Sequence, residues 1–239
     1  MKNKQNKTKD SLGDRMKKME SINRHYLIPK LYTMLRLDGC HFHTYTKKFK
    51  RPFDDILINA MDETAKYLCS KIQGAKFAYV QSDEITIFLS DMDSIESQMW
   101  YDGNIQKMTS ISASIASVHF NLYIRDYDPL AKGYFDSRVF NIPKEEVCNY
   151  FIWRQKDWLR NSILMMAQAH FSHKKLKNKS LSDIHEMLHT KNLNWADLNS
   201  LYKNGTFIYR DIDSHDWTFD TTIFTENRNS IEQYVYIGE

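Results

Sequence analysis

Two short stretches place carboxylates where buried strands would not carry them. In RLDG, Asp38 ends an alternating run; in YVQSDEITIFLS, Asp83 and Glu84 stand between two runs that read as strands. Carboxylates crowded at one place repel unless a cation lies among them, and hard oxygens suit Mg²⁺. Two divalent ions roughly 3.5–4 Å apart stabilise both the attacking and the leaving oxygen of an in-line phosphoryl displacement. Phosphoryl or nucleotidyl transfer is therefore the chemistry these acids could perform. The plain alternative is that Asp38 caps a turn and Asp83-Glu84 form a polar hairpin tip.

Which reading holds depends on the elements that position the acids. Leu31 to Gly39 alternates and is rich in β-formers until Asp38-Gly39 breaks it, predicting a strand with its acid at the C-terminal end. Asp54 to Gln73 repeats apolar residues at Leu57, Met61, Leu68 and Ile72 after Pro52 and stops at Gly74, predicting an amphipathic helix. Residues 76–81 and 85–90 read as two strands with the acids in their link, Asn104 to Tyr123 as a second helix, and Phe135 to Phe140 as a fourth strand. The order β-α-β-β-α-β predicts an α+β fold, the ferredoxin-like split βαβ arrangement of a polymerase palm. Right-handed crossovers then place the third strand antiparallel between the first and second, which brings Asp38 beside Asp83.

Around this core, residues 1–13 are polar and expected to fray, and Asp14 to Arg24 has the spacing of a short helix. Residues 1–142 read as the palm with its N-terminal extension. Residues 143–239 read as a helical extension, with a polar helix over Leu181 to Leu198 and one or two closing strands in the tail. With 33 Lys and Arg against 30 Asp and Glu, the net charge of +3 is compatible with a polyanionic partner without requiring one. Cys40, Cys69 and Cys148 are odd in number and lack a C-x-x-C, which indicates neither a disulfide framework nor a cysteine zinc site and points to a reducing, cytoplasmic setting. No apolar run approaches a membrane span or a signal peptide, and the lysine-rich start with acids present is unlike a mitochondrial presequence.

The stretches RLDGCHFHTYTKKFKRPFDD, YVQSDE, WYDGNIQKMTSISAS and WRQKDWLRNS closely resemble the tRNA-histidine guanylyltransferase family, whose members add nucleotides to tRNA 5′ ends in the 3′-to-5′ direction. The resemblance covers roughly residues 12–180. It implies two Mg²⁺ ions held by Asp38, Asp83 and the Gly39 carbonyl, with Glu84 completing an acidic catalytic rim. It implies that the loop Gly39-Cys40-His41-Phe42-His43, with Ser82, wraps a nucleoside triphosphate, that Arg51 and Lys107 bind phosphates, and that Asp54 reaches a purine edge. It further implies ATP and GTP as substrates, a tRNA-like RNA with a recessed 5′ end as partner, and a homotetramer. Where eukaryotic members carry His-Ile-Asn-Asn, this chain reads Leu159-Arg160-Asn161-Ser162, and Asn104 stands where an arginine is expected. These departures resemble the family's other branch, which repairs truncated tRNA 5′ ends by templated addition, more than strict addition of G at position −1.

In a nucleic-acid enzyme, Arg154, Lys156, Arg160, Asn161, Lys174 and Lys175 are candidates for RNA contacts; a solvated basic face is the bland reading. His185-Glu186-Met187-Leu188-His189 is a literal H-E-x-x-H, the zinc metallopeptidase pattern, without an evident third ligand. An RNA-binding module with a decayed palm and a nucleotide cyclase on the same palm complete the alternatives.

Overall fold

The structure is a computed structural model and describes residues 11–235, so most of the N-terminal stretch expected to fray lies outside the described residues. The chain runs α1 (Leu12–Ser21), β1 (Tyr32–Gly39), α2 (Phe42–Tyr45), α3 (Asp55–Lys71), β2 (Ala75–Gln81), β3 (Glu84–Leu89), α4 (Ile105–Ile124), β4 (Phe135–Ile142) and α5 (Lys144–His170). It continues through α6 (His173–Leu176), α7 (Leu181–His189), α8 (Ser200–Asn204), β5 (Thr206–Arg210), β6 (Trp217–Asp220) and α9 (Asn229–Glu232). The six strands form one sheet in the order β4-β1-β3-β2-β5-β6, antiparallel at every pair. Its first four members have the ferredoxin-like order that the sequence predicts.

The two faces of this sheet are covered differently. Leu35, Leu37, Val80, Ile85 and Ile87 point to one side and pack with Met61, Leu68, Ala116 and Phe120 of α3 and α4. Met34, Phe77, Tyr79 and Phe88 point to the other, where Val147 and Phe151 of α5 meet them. Period-2 alternation makes the separation clean. At 27 residues, α5 is about 40 Å long against about 27 Å for the eight-residue strands, so its C-terminal half runs past the rim of the sheet.

The tail strands are two, and they extend the sheet along β2, so residues 206–220 share the palm's core. Gly205 makes this docking possible. It has φ +73, and a Cβ there would lie 2.5 Å from the Val80 carbonyl oxygen. The helix expected over Leu181 to Leu198 is shorter. It ends at His189, and Asn192 takes φ +56 before a 3₁₀ turn at Trp195–Asp197.

Candidate active site

Gly39 and Asp83 join at the rim: the Gly39 N–H donates to the Asp83 carbonyl at 3.0 Å. Asp38, one residue earlier, pairs in register with Glu84 on one side and Asp136 on the other. A two-residue turn, Ser82-Asp83, links β2 to β3, with Ser82 at φ +53. The shorter link moves Glu84 out of the hairpin tip and into β3. Burial raises the Asp83 carboxyl above the usual carboxylate range; the Ser82 hydroxyl opposes this and the Asp38 charge adds to it. Neither aspartate has an ion-pair partner among the described residues.

Glu84 faces the other way, under α5. Arg154 Nε donates to its Oε1 at 2.8 Å and Arg154 Nη2 to its Oε2 at 2.7 Å, Arg36 lies 3.7 Å away, and Gln81 Nε2 donates at 3.2 Å. This is a buried bidentate pair, the strong geometry for arginine and carboxylate. It also alters two sequence expectations. Glu84 is occupied by a guanidinium instead of standing free on an acidic rim, and Arg154, 8% exposed, is inside the protein, not on a surface that RNA could reach.

A cavity of about 370 Å³ opens beside Asp83 and Ser82. It is lined by the basic or ionisable His43, Lys50 and Arg51, by the apolar Phe53, Leu57, Met61 and Val80, and by Trp158, Met165 and Gln168 from the overrunning half of α5. Phe53 stacks on Tyr202 with ring centres 4.7 Å apart. Arg51 is exposed and makes no ion pair among the described residues.

The loop after β1 divides its labour. Gly39 and Cys40 amides are already bonded, Cys40 to the Tyr134 carbonyl at 2.7 Å, while those of His41, Phe42 and His43 begin α2 and have no acceptor among the described residues. Phe42 itself is core, 2% exposed against Phe120 and Phe135. Gly39 is required for this: a Cβ would meet the Phe42 ring at 2.4 Å. Asp54 caps α3, its Oδ1 accepting from Ile56 and Leu57 and its Oδ2 from Lys50 N–H, so its carboxylate is fixed by backbone amides at the cavity wall.

Lys107 is placed elsewhere. α4 begins where β1 begins, tied there by Leu27 N–H to Gly103 O and Ile105 N–H to His25 O, so Lys107 and Asn104 sit at the end of the sheet opposite Asp38 and Asp83. They line a separate shallow cavity with Arg24, Tyr26 and Asp102. One chain cannot bring Lys107 to the nucleotide that Asp83 would touch. Lys156, Arg160 and Asn161 are exposed on α5, and Lys174 and Lys175 on α6.

Sequence reasoning missed Asp62. It lies on α3 at the inner wall of the cavity, 7% exposed; Thr206 Oγ1 donates to its Oδ2 at 2.9 Å, and its Oδ1 has no hydrogen-bond partner. Burial pushes its carboxyl up to about 7. A polar residue at a helix position facing β5 was the available signal, but that strand's place in the sheet was not legible.

Hard-oxygen donors at the rim fit Mg²⁺, which takes one or two carboxylates and fills its remaining positions with water and substrate phosphates. Among the described residues no three His, Cys, Asp or Glu side chains converge as a metal site. His185 packs edge-on against Trp195, and among the described residues no third ligand joins the H-E-x-x-H spacing.

Together, the palm order, the paired aspartates and the adjoining cavity define a nucleotidyltransferase of the polymerase-palm class. The chain belongs to the tRNA(His) guanylyltransferase family, whose sequence model matches residues 13–143. It is similar to a bacterial tRNA(His) guanylyltransferase-like protein solved with ATP, at 43% identity and TM-score 0.92, covering 95% of this chain and 100% of that one. A bacterial guanylyltransferase-like protein solved with GTP matches over the same shares at 39% identity and TM-score 0.82. An uncharacterized protein of Acanthamoeba polyphaga mimivirus is 29% identical over 85% of this chain and 78% of its own length.

Proposed function

We propose that this protein is a Mg²⁺-dependent 3′-to-5′ nucleotidyltransferase that activates a tRNA 5′ end with ATP and restores missing nucleotides against the opposite strand. One observation carries the reading: Asp38 and Asp83 come from distant elements to a single rim beside a cavity lined by Lys50 and Arg51. Asp38, Asp83 and the Gly39 carbonyl would hold the Mg²⁺, which when bound supplies charge neutralisation at the reacting phosphate. Arg51, Lys50 and the free amides of His41 to His43 would hold the triphosphate, and amides so arranged form an anion cradle. The cavity would take the base between Phe53, Leu57 and Val80.

Two transfers follow. The RNA 5′-phosphate attacks the α-phosphorus of ATP and releases pyrophosphate; the 3′-hydroxyl of the incoming nucleotide then attacks the RNA 5′-phosphorus and releases AMP. Each is an in-line displacement in which positioning and charge do most of the catalysis, so no side-chain nucleophile is needed. ATP- and GTP-bound relatives support purine triphosphates as substrates. The exposed Lys156, Arg160, Asn161, Lys174 and Lys175 would meet RNA phosphates. The reading of templated repair over strict G addition rests on Arg160-Asn161-Ser162, which resembles the family's repair branch; Ser162 itself is buried and accepts from Trp195 Nε1 at 3.0 Å.

The test is 5′ extension of a 5′-monophosphorylated tRNA lacking its first nucleotide, with Mg²⁺, ATP and each other nucleotide in turn. The wild type restores the paired nucleotide, and Asp38→Ala and Asp83→Ala each lose at least about a thousandfold in rate, in line with removing a principal charge-stabilising group. Addition of G alone, whatever the opposite base, selects strict guanylyl transfer. Undiminished extension by both variants would sink the palm mechanism.

A further inference from the structure

The second transfer needs a place for the incoming nucleotide, and the cavity beside Asp83 cannot be that place while it holds the departing AMP. In an in-line displacement the attacking and leaving oxygens lie on opposite sides of the reacting phosphorus. The cavity borders β2 and β5 through Val80, Gly205 and Thr206, so the attacking 3′-hydroxyl has to arrive from the side of β1 and β4. On that side stands Trp153. It is 51% exposed, more than any of the other four tryptophans, and packs into none of the hydrophobic clusters among the described residues. Resting on the transferase reading above, we propose that the face over β1 and β4 is the subsite of the incoming nucleotide, where the Trp153 ring stacks on its base and Arg138 binds its triphosphate.

Contacts on two sides fix the ring beside the rim. Arg154 holds its guanidinium carbon 4.6 Å from the Trp153 ring centre while its nitrogens clamp Glu84, and Glu84 pairs in register with Asp38. Tyr150 meets the Trp153 ring edge-on at 5.6 Å and packs in turn on Phe140 of β4 at 5.7 Å, which sets the ring on the β4 side of α5. A ring held this firmly, with half of its residue's surface open to solvent, is a stacking platform that accepts any base, because every base has a π-face. The strands below it supply charge. Arg36 and Arg138 lie directly opposite each other in the β1–β4 register, where like charges repel. Arg36 has an ion contact to Glu84 at 3.7 Å and the half-exposed Arg138 one to Asp136 at 3.3 Å, and exposed pairs of the second kind contribute little. Phosphates over the two arginines answer that repulsion, and the acids of this face, Asp38 and Asp136, are paired two residues, or about 7 Å, nearer the rim. The RNA then stacks its own 5′-terminal base on the other face of the incoming one. Lys156 and Arg160, three and seven residues beyond Trp153 on the same face of α5, follow its backbone.

The experiment isolates the second transfer by giving the full chain and Mg²⁺ an RNA that lacks its first nucleotide and already bears a 5′-triphosphate. The 3′-hydroxyl of the added nucleotide bonds to the RNA 5′-phosphorus, pyrophosphate leaves with the electrons of the broken P–O bond, and the hydroxyl proton passes to solvent. KM and kcat are read for GTP opposite C and for CTP opposite G, in wild type, Trp153→Ala, Trp153→Phe and Arg138→Gln. Loss of the platform in Trp153→Ala raises the KM for GTP about tenfold and that for CTP by less, because a pyrimidine presents a smaller face. The kcat changes by less than about threefold, and Trp153→Phe, which keeps an aromatic face, stays within about threefold of the wild type for both nucleotides. Arg138→Gln raises both KM values alike, by about tenfold, since the triphosphate is common to them. A Trp153→Ala KM for GTP within twofold of the wild type overturns the stacking role. Equal losses for GTP and CTP that Trp153→Phe shares also overturn it, since they mark a residue that only packs on Arg154; KM values unchanged by Arg138→Gln overturn its phosphate contact. Each of these leaves the transferase reading intact, whereas a wild type that adds nothing to the triphosphorylated RNA overturns both.

Discussion

The acids on the two sides of the sheet are treated oppositely. Under α5, Glu84 is clamped by Arg154 and approached by Arg36, and its charge is answered inside the protein. Around the cavity beside Ser82, Asp83 has no cationic partner among the described residues and Asp62 keeps one oxygen unpaired, and both carboxyls are raised by burial. Asp83 and Glu84 are neighbours in sequence, yet one belongs to each group. The comparison teaches that the paired acid joins two elements together, whereas the unpaired ones are left to desolvation alone. The Arg154–Glu84 pair joins α5 to the β2–β3 hairpin, and α5 in turn lines the cavity with Trp158 and Gln168.

Breaking the paired side has the largest expected effect on stability. Arg154→Met leaves Glu84 buried with only the longer contact to Arg36 and lowers stability by about 3–5 kcal/mol, measured by urea unfolding. Adding Glu84→Met to that variant recovers part of the loss, because the buried carboxylate is gone and the charge left behind, on Arg36, is partly exposed. A double variant no better than the single one would mean that Arg154 acts by packing alone.

The unpaired side shows itself through pH. The folded-state value for Asp62 is raised, so its contribution to stability is fully present below the unfolded carboxylate range near 4 and is lost as pH rises toward about 7. Asp62→Asn removes that loss. Relative to wild type, the variant therefore gains stability as pH increases from 4 to 7, on the order of 2–4 kcal/mol, read as the difference in unfolding free energy across the range. Parallel pH profiles for the two proteins would contradict an Asp62 raised by burial.

The surface cations, outside both groups, give the smallest effect. Lys156→Gln and Arg160→Gln should each leave stability within about 0.5 kcal/mol. Each should reduce the slope of log affinity for tRNA against log salt by about one unit. An unchanged slope would remove that residue from the RNA footprint.

Much of the palm was legible because its signals are local. Alternation in β1, the heptad-like spacing of α3 and the Gly74 stop specify elements, and chain handedness limits how they assemble, which is why Asp38 and Asp83 meet as expected. Glu84 was misplaced by one step of the strand: reading the link as residues 82–84 instead of Ser82-Asp83 leaves its orientation open, and in a strand one residue decides the face. Lys107 resembled a phosphate ligand from its motif, but only the path of residues 90–104 puts it at the far end of the sheet. Arg154 read as one member of a basic segment; whether a cation on α5 points to water or to Glu84 depends on how the helix is rotated against the sheet.

The sequence by itself determined the order of the palm elements, the acids at the ends of β1 and β2, and the family, since these rest on periodicity, turn residues and contiguous motifs. Tertiary structure alone decided which acids are paired. Pairing depends on which faces meet across long sequence separations, 70 residues for Arg154 and Glu84 and 144 for Asp62 and Thr206, and no local pattern encodes that meeting. Desolvation follows from the same packing, so the carboxyls left without a counter-charge can be recognised only once α5 and β5 are in place.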